Sequence, residues 1–253
     1  MAKKPSTSGS KADRRAVVEQ LRKEQERKEK RRTYAIVGGC VAVALVIVGL
    51  GAYPLIRDAR ESARFADTEL AAIGTPKADA SCQDVITAPA EGSAQHVPDG
   101  TTVEYTSAPP AFGEHYAAPA VMSRKFYTAE DRPRLETLVH NLEHGYNILW
   151  YDESLADDAE SVAELRAIAD KFPGTDDFRN KFIVAPWTSD DGEPFPDGAT
   201  MAMTHWSVSG EGDEANEDGQ QGVWQYCGEL SGEAVAEFVE AYPFTDSPEP
   251  NAF

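Results

Sequence analysis

Two histidines and a glutamate fall within one predicted helical turn, in residues 139–146, and no other segment combines side chains so well suited to chemistry. His140 and His144 are four residues apart, so on a helix their side chains share one face. Two neutral imidazoles on one helical face form half of a metal site. Glu143 lies about 100° round the helix from His144. We therefore expect it to support a ligand by hydrogen bonding rather than to bind an ion itself.

The other three histidines of the chain are candidates to complete such a site. His115 follows a Pro-Pro turn at residues 109–110, which is stiff enough to hold the imidazole over the helical face with little loss of entropy. We therefore predict that His115 joins His140 and His144 as a third ligand. His96 and His205 are the candidates for a fourth ligand.

The residues leave the identity of the ion open between zinc and copper. Histidine with glutamate suits zinc, whereas histidine with methionine on the outer side of a membrane suits copper. Met201 and Met203 share a predicted strand with His205, and alternate residues of a strand face the same side. Methionines in a strand also serve simply as core filling, which is the interpretation favoured for these two.

The same residues admit two other interpretations. His140, Glu143 and His144 match the H-x-x-E-H pattern of the inverzincins, in which a zinc-bound water is activated by the glutamate. Such a peptidase needs its helix to continue through the pattern, whereas Gly145 is a helix stop. Enzyme activity is therefore left open, with a non-catalytic role favoured. In the second interpretation the histidines are structural and cap the helix C-terminus, where the dipole favours a cation.

The elements that must position these residues follow from the pattern of apolar residues. The central helix, from residue 130 to Gly145, runs directly into a strand at residues 146–151. A second amphipathic helix is predicted at 157–172. Strands are predicted at 102–106, 181–187, 200–206 and 222–227, with an acidic loop at 210–221. A last helix, 231–242, has Ser231 as its N-cap. The order β-α-β-α-β-β-β-α predicts an α+β domain with one mixed β-sheet and packing helices.

The charge distribution indicates a membrane protein. The net charge is −19, yet the first 33 residues carry 12 Lys and Arg against 5 Asp and Glu, so this tail is at +7 and the rest is at −26. Residues 34–55 contain no charged side chain. A helix of that length extends about 33 Å, enough to cross a hydrocarbon core of about 30 Å. The acidic outer part argues against nucleic acid as a partner.

The basic flank sets the predicted orientation. Lys and Arg crowd the N-terminal side of the apolar run, so the positive-inside rule places the N-terminus in the cytoplasm and the following domain outside. A cleaved signal peptide is the alternative. The long basic region and the absence of a small-residue cleavage site argue against it. We predict a single-pass plasma membrane protein, with the lipid bilayer as one partner.

Cysteine use agrees with an extracytoplasmic domain. Cys40 lies within the apolar run. Cys82 and Cys227 are the remaining pair on the oxidising side, where two cysteines more often form a disulfide than remain free thiols. We therefore predict a disulfide between them.

The predicted organisation has five parts. They are a basic cytoplasmic tail (1–33), a transmembrane helix (34–55), a stalk or linker (56–79), an extracytoplasmic domain (80–245) and a disordered C-terminus (246–253).

Three short blocks resemble the DUF3105 family, membrane-anchored bacterial proteins of unknown function. They are His96-Val97-Pro98, the block Pro109-Pro110-x-x-Gly113-x-His115-Tyr116, and His140-x-Leu142-Glu143-His144-Gly145. The resemblance covers residues 82–242 and implies no reaction. Two functions therefore remain as hypotheses. One is a histidine-rich module that binds copper or zinc at the cell envelope, and the other is an interaction subunit of an envelope or membrane complex, with structural histidines and a protein partner.

Overall fold

The computed structural model describes residues 11–92, 94–208 and 219–252. Residues 1–10 of the predicted tail, most of the predicted acidic loop and Phe253 lie outside this described part. The chain divides into two compact units, Met1–Arg57 and Asp58–Phe253.

A single long helix, α1 (Lys11–Arg64), contains the apolar run near the N-terminus. Within the described residues it is the one helix long and apolar enough to cross a membrane, by length and composition, and its candidate span is Arg14–Tyr53. Its apolar side chains are exposed to the surroundings. Residues 34–53 of the predicted span at residues 34–55 lie within this candidate span.

The folded unit is an α+β domain, as predicted. Its elements, within the described residues, are β1 (Ile86–Pro89), β2 (His96–Val97), β3 (His115–Tyr116), α2 (Leu135–Glu143), β4 (Asn147–Asp152), α3 (Ala159–Asp170), β5 (Phe182–Trp187), β6 (Met201–Ser207), β7 (Gln221–Cys227) and α4 (Gly232–Ala241). Short 3₁₀ turns at Leu70–Ala72, Glu153–Asp157 and Phe178–Asn180 connect some of them.

Five strands form one mixed sheet in the order β1-β7-β6-β4-β5. β4 and β5 are parallel, whereas the other neighbouring pairs are antiparallel. β2 and β3 form a separate parallel pair of two residues each, with His96 opposite His115. The disulfide between Cys82 and Cys227 is present as predicted, with an S–S distance of 2.02 Å.

A helical layer packs on each face of the sheet. Successive side chains of a strand point to opposite sides, so each strand contributes residues to both cores. Ile148 and Trp150 of β4 pack in a core with α2. Leu149 and Tyr151, the alternate residues, pack in a second core with α3 and α4. The chemistry-bearing helix α2 therefore lies on one face, and α3 and α4 lie on the other.

Two local predictions were wrong. Residues 102–106 form no strand, because their polar groups are satisfied elsewhere: the Val103 amide donates to Glu136 and the Tyr105 hydroxyl donates to the Glu114 carbonyl. The central helix begins at Leu135 rather than near residue 130. The residue before a proline is held in an extended conformation, so Pro133 delays the helix. The edge strand β1 was not predicted.

Two segments expected outside the domain pack against it. In the predicted linker, Ile73 is almost fully buried and Gly74 forms a bridge with Ser231. In the C-terminal segment, residues 246–252, Ser247 is buried and the Glu249 amide donates to the Glu143 carbonyl. The described part of the expected disordered C-terminus is thus hydrogen-bonded to the domain.

Candidate metal centre

Four histidines and one glutamate converge at the C-terminal end of α2. His140 and Glu143 lie in its last turn, and His144 follows as the C-cap. The paired strands β2 and β3 place His96 beside His115. Ring centroids of His96 and His115 lie 5.0 and 4.9 Å from that of His140. The helix thus supplies one half of the cluster and the two-residue strand pair supplies the other half.

The orientation of two imidazoles is set by backbone carbonyls. His115 Nδ1 lies 2.8 Å from the Gly113 carbonyl, and His140 Nδ1 makes a short hydrogen bond to the Tyr116 carbonyl. A carbonyl only accepts, so each Nδ1 carries the proton. In the neutral rings, Nε2 then presents a lone pair, the arrangement found in histidines that ligate metals through Nε2.

The Nε2 atoms of the imidazoles lie at short distances from one another and from a carboxylate. His140 Nε2 lies 2.8 Å from His144 Nε2, and His115 Nε2 lies 2.9 Å from Glu143 Oε2. His96 Nε2 is 4.0 Å from the same carboxylate oxygen. Ligand atoms of a tetrahedral zinc, with Zn–N bonds of 2.0–2.1 Å, are about 3.3 Å apart. The observed spacing is therefore close to that of a coordination shell.

Two sets of donors satisfy this spacing within the described residues. One contains His96, His115 and His140, and the other contains His140, Glu143 and His144; in each set all ligand atoms lie within 4.8 Å of one another. His140 belongs to both sets. His115 and His144 are buried, whereas about half of the His96 side chain is exposed, which gives the cluster an opening to solvent.

The contact between His115 and Glu143 is not a conventional hydrogen bond. The two atoms are at ion-pair distance, but they are poorly aligned, and neither has a hydrogen-bond partner among the described residues. With the His115 proton on Nδ1, the unprotonated Nε2 lies 2.9 Å from a carboxylate oxygen. A positive charge at this point, from a proton on His115 Nε2 or from a bound cation, would stabilise the contact.

The electrostatics keep the carboxylate charged and one imidazole neutral. Burial raises the pKa of Glu143, but the adjacent imidazoles of His115, His140 and His144 lower it by more, so this pKa falls below its ordinary value. Burial lowers the pKa of His140, and the Tyr116 carbonyl offsets this only in part. A metal ion requires these protonation states, an anionic carboxylate and a neutral imidazole.

The family model for DUF3105, described as a protein of unknown function, matches residues 96–252. The chain belongs to this family. The match starts at His96, later than the resemblance over residues 82–242, and extends beyond it to the end of the described C-terminal segment. None of the curated proteins and none of the solved structures is significantly similar to the chain.

The structure of the DUF3105 domain brings together His96, His115, His140, His144 and Glu143, but it does not bring His205 to them. His205 is fully buried, and its Nδ1 and Nε2 lie 3.2 and 2.7 Å from the carbonyls of Tyr146 and Asp246. Burial lowers its pKa. Met201 and Met203 are core residues packed with α3 and α4, on the face opposite α2.

One acidic residue at the cluster of the DUF3105 domain was not predicted. Glu249 Oε2 lies 3.4 Å from His144 Nε2. It was missed because it lies more than 100 residues after His144 in an acidic segment without apolar periodicity. The family match, which includes this segment, is the signal that would have drawn attention to it.

Proposed function

We propose that the DUF3105 domain of this protein binds one divalent transition-metal ion through His140, Glu143 and His144, with His115 and His96 beside them. The observation that carries the proposal is the fixed orientation of two imidazoles. Backbone carbonyls hold Nδ1 of His115 and His140, which leaves both Nε2 lone pairs directed into the cluster. Histidines with a purely structural role rarely present several lone pairs and a carboxylate to one point.

The donor chemistry favours zinc, with copper(II) as the second candidate. The cluster offers imidazole nitrogens and carboxylate oxygens, which both ions accept. Sulfur ligands, which copper(I) prefers, are not part of it: Met201 and Met203 lie in the other core. Each ligand nitrogen binds the ion only when it is unprotonated. The affinity for the ion should therefore decline as the pH falls through the ordinary pKa range of histidine, about 6.5.

We further propose that this domain works outside the cytoplasm, at the plasma membrane. The long apolar helix and the basic tail support an anchor with its N-terminus inside. The disulfide supports an oxidising compartment. The resulting function is a membrane-anchored module that holds a metal ion at the cell envelope and exchanges it with an envelope partner.

The metal proposal is tested on the full-length chain, purified in detergent, stripped with a chelator and titrated with zinc alone or copper(II) alone. His115→Ala and His144→Ala should each weaken binding at least about tenfold, the lower range for losing a group at a metal site. Glu240→Gln is the control, since Glu240 is exposed on α4 and away from the cluster, and it should bind as wild type does.

Two results of the metal titrations would contradict the proposed metal site. A wild-type chain without metal above background would refute the proposal, and so would cluster variants that bind as tightly as wild type. The histidines would then be structural, and the role as an interaction subunit of an envelope complex would take its place. Proteins that copurify from detergent extracts would identify the partner.

The topology proposal has its own test. A protease added to intact cells stripped of their outer layers should digest the chain beyond residue 55 and leave residues 1–33 protected. Permeabilised cells serve as the control, and in them residues 1–33 should lose their protection. Protection of the folded domain with digestion of the tail would refute the proposed orientation.

A further inference from the structure

The C-terminal segment, residues 246–252, is held on the domain beside the histidine cluster. The Asp246 carbonyl lies 2.7 Å from His205 Nε2, and the Asp246 carboxylate accepts a hydrogen bond of 2.7 Å from Ser207. Three residues later, the Glu249 amide donates to the carbonyl of Glu143 at 2.9 Å. The backbone of Glu249 is therefore fixed against the last turn of α2.

Lys181 ties the end of this segment to the cluster. Its ammonium group donates to the carbonyls of Pro250 and Ala252 at 2.9 and 2.7 Å, and to the carbonyl of His144 at 2.7 Å. Lys181 is 2% exposed, so these are buried, charge-assisted hydrogen bonds. One side chain thus connects the segment to the backbone of a proposed ligand.

The Glu249 side chain lies at the solvent side of the cluster. Its Oε2 is 3.4 Å from His144 Nε2, the atom that is also 2.8 Å from His140 Nε2. The Glu249 side chain is 52% exposed, whereas that of His144 is 6% exposed. The carboxylate therefore lies between the buried imidazoles and bulk water.

Charge balance gives this position a chemical role. A divalent ion held by neutral imidazoles and the single carboxylate of Glu143 would leave one net positive charge in a largely buried site. Burying an uncompensated charge is costly. A second carboxylate at Glu249 would make the site neutral, and the number of charged ligands is a main determinant of cation affinity.

We propose that Glu249 is a further metal ligand, which closes the position formed by His140, Glu143 and His144 from the solvent side. This inference rests on the metal site proposed above and adds a ligand from the C-terminal segment. Because Glu249 is half exposed while its backbone is fixed, its carboxylate can leave and rejoin the ion without unfolding the segment. It is then the ligand that admits and releases the ion.

The test compares zinc affinity of the full-length chain in detergent for wild type, Glu249→Gln and Glu240→Gln. Glu240 is exposed on α4, so Glu240→Gln makes the same change of charge away from the cluster. Glu249→Gln should weaken zinc binding about tenfold or more, and Glu240→Gln should not. Thermal unfolding of the metal-free chains should be the same for all three, whereas zinc should raise the melting temperature of Glu249→Gln least.

Each contrary result has a distinct meaning. If wild type and Glu249→Gln bind zinc equally, Glu249 is not a ligand, and the histidine site stands without it. If Glu240→Gln weakens binding as much as Glu249→Gln, the effect is one of overall charge and the inference is wrong. If wild type itself binds no zinc, the proposed metal site is refuted and this inference with it.

Discussion

Gly145, which follows the cap of α2, should not accept a side chain without a shift of the backbone around it. Its φ is +88°, and a Cβ added there would lie 2.4 Å from the Phe244 carbonyl oxygen and 2.7 Å from Ser247 Oγ. Real Cβ atoms do not approach backbone oxygen so closely, so Gly145→Ala must displace the turn that leads into the C-terminal segment.

The magnitude follows from two separate costs. A left-handed backbone costs a residue with a Cβ about 1–2 kcal/mol relative to glycine. Forcing extra volume into a packed site costs about 1–3 kcal/mol more. Gly174 provides the matched control, since its φ is +76° and no described atom lies within 4 Å of where its Cβ would be. Gly174→Ala thus carries the backbone cost alone.

The assay is thermal or urea unfolding of both variants beside wild type. Replacing glycine also reduces the entropy of the unfolded chain, but this contribution is common to the two variants and cancels in the comparison. Gly145→Ala should be less stable than Gly174→Ala by at least about 1 kcal/mol, which lowers the melting temperature by a further 2–4 °C or so in a domain of this size. Equal destabilisation would refute the close approach of the C-terminal segment to α2.

Two further predictions concern stability. Replacing Cys82 and Cys227 together by serine should lower the free energy of unfolding by about 4–5 kcal/mol in the chain-entropy model, because the bond closes a loop with a sequence separation of 145; denaturant unfolding measures this, and unchanged stability would contradict it. The pKa of His205 is lowered by burial in the folded chain, so the unfolded chain binds its proton first and stability should fall as the pH drops below about 6.5. His205→Gln, which cannot titrate, should show a smaller fall in melting temperature between pH 7 and pH 5, and an identical fall would show that another group is responsible.

The sequence by itself determined the features that depend on near neighbours in the chain. The four-residue spacing of His140 and His144 places them on one face of a helix whatever the rest of the fold, and Gly145 ends that helix because it takes up positive φ without strain. The uncharged run in α1 and the pairing of Cys82 with Cys227 followed from composition and compartment in the same way.

The tertiary structure decided which distant residues join the site. His96 and His115 meet through strands of two residues, too short to leave a periodic pattern. His205 is turned away because the sheet lies between the face that carries α2 and the face that carries α3 and α4. Glu249 reaches His144 only through hydrogen bonds made across the domain. Periodicity reports which side of an element a residue occupies, whereas contacts between elements are set by burial and hydrogen bonding over the whole fold.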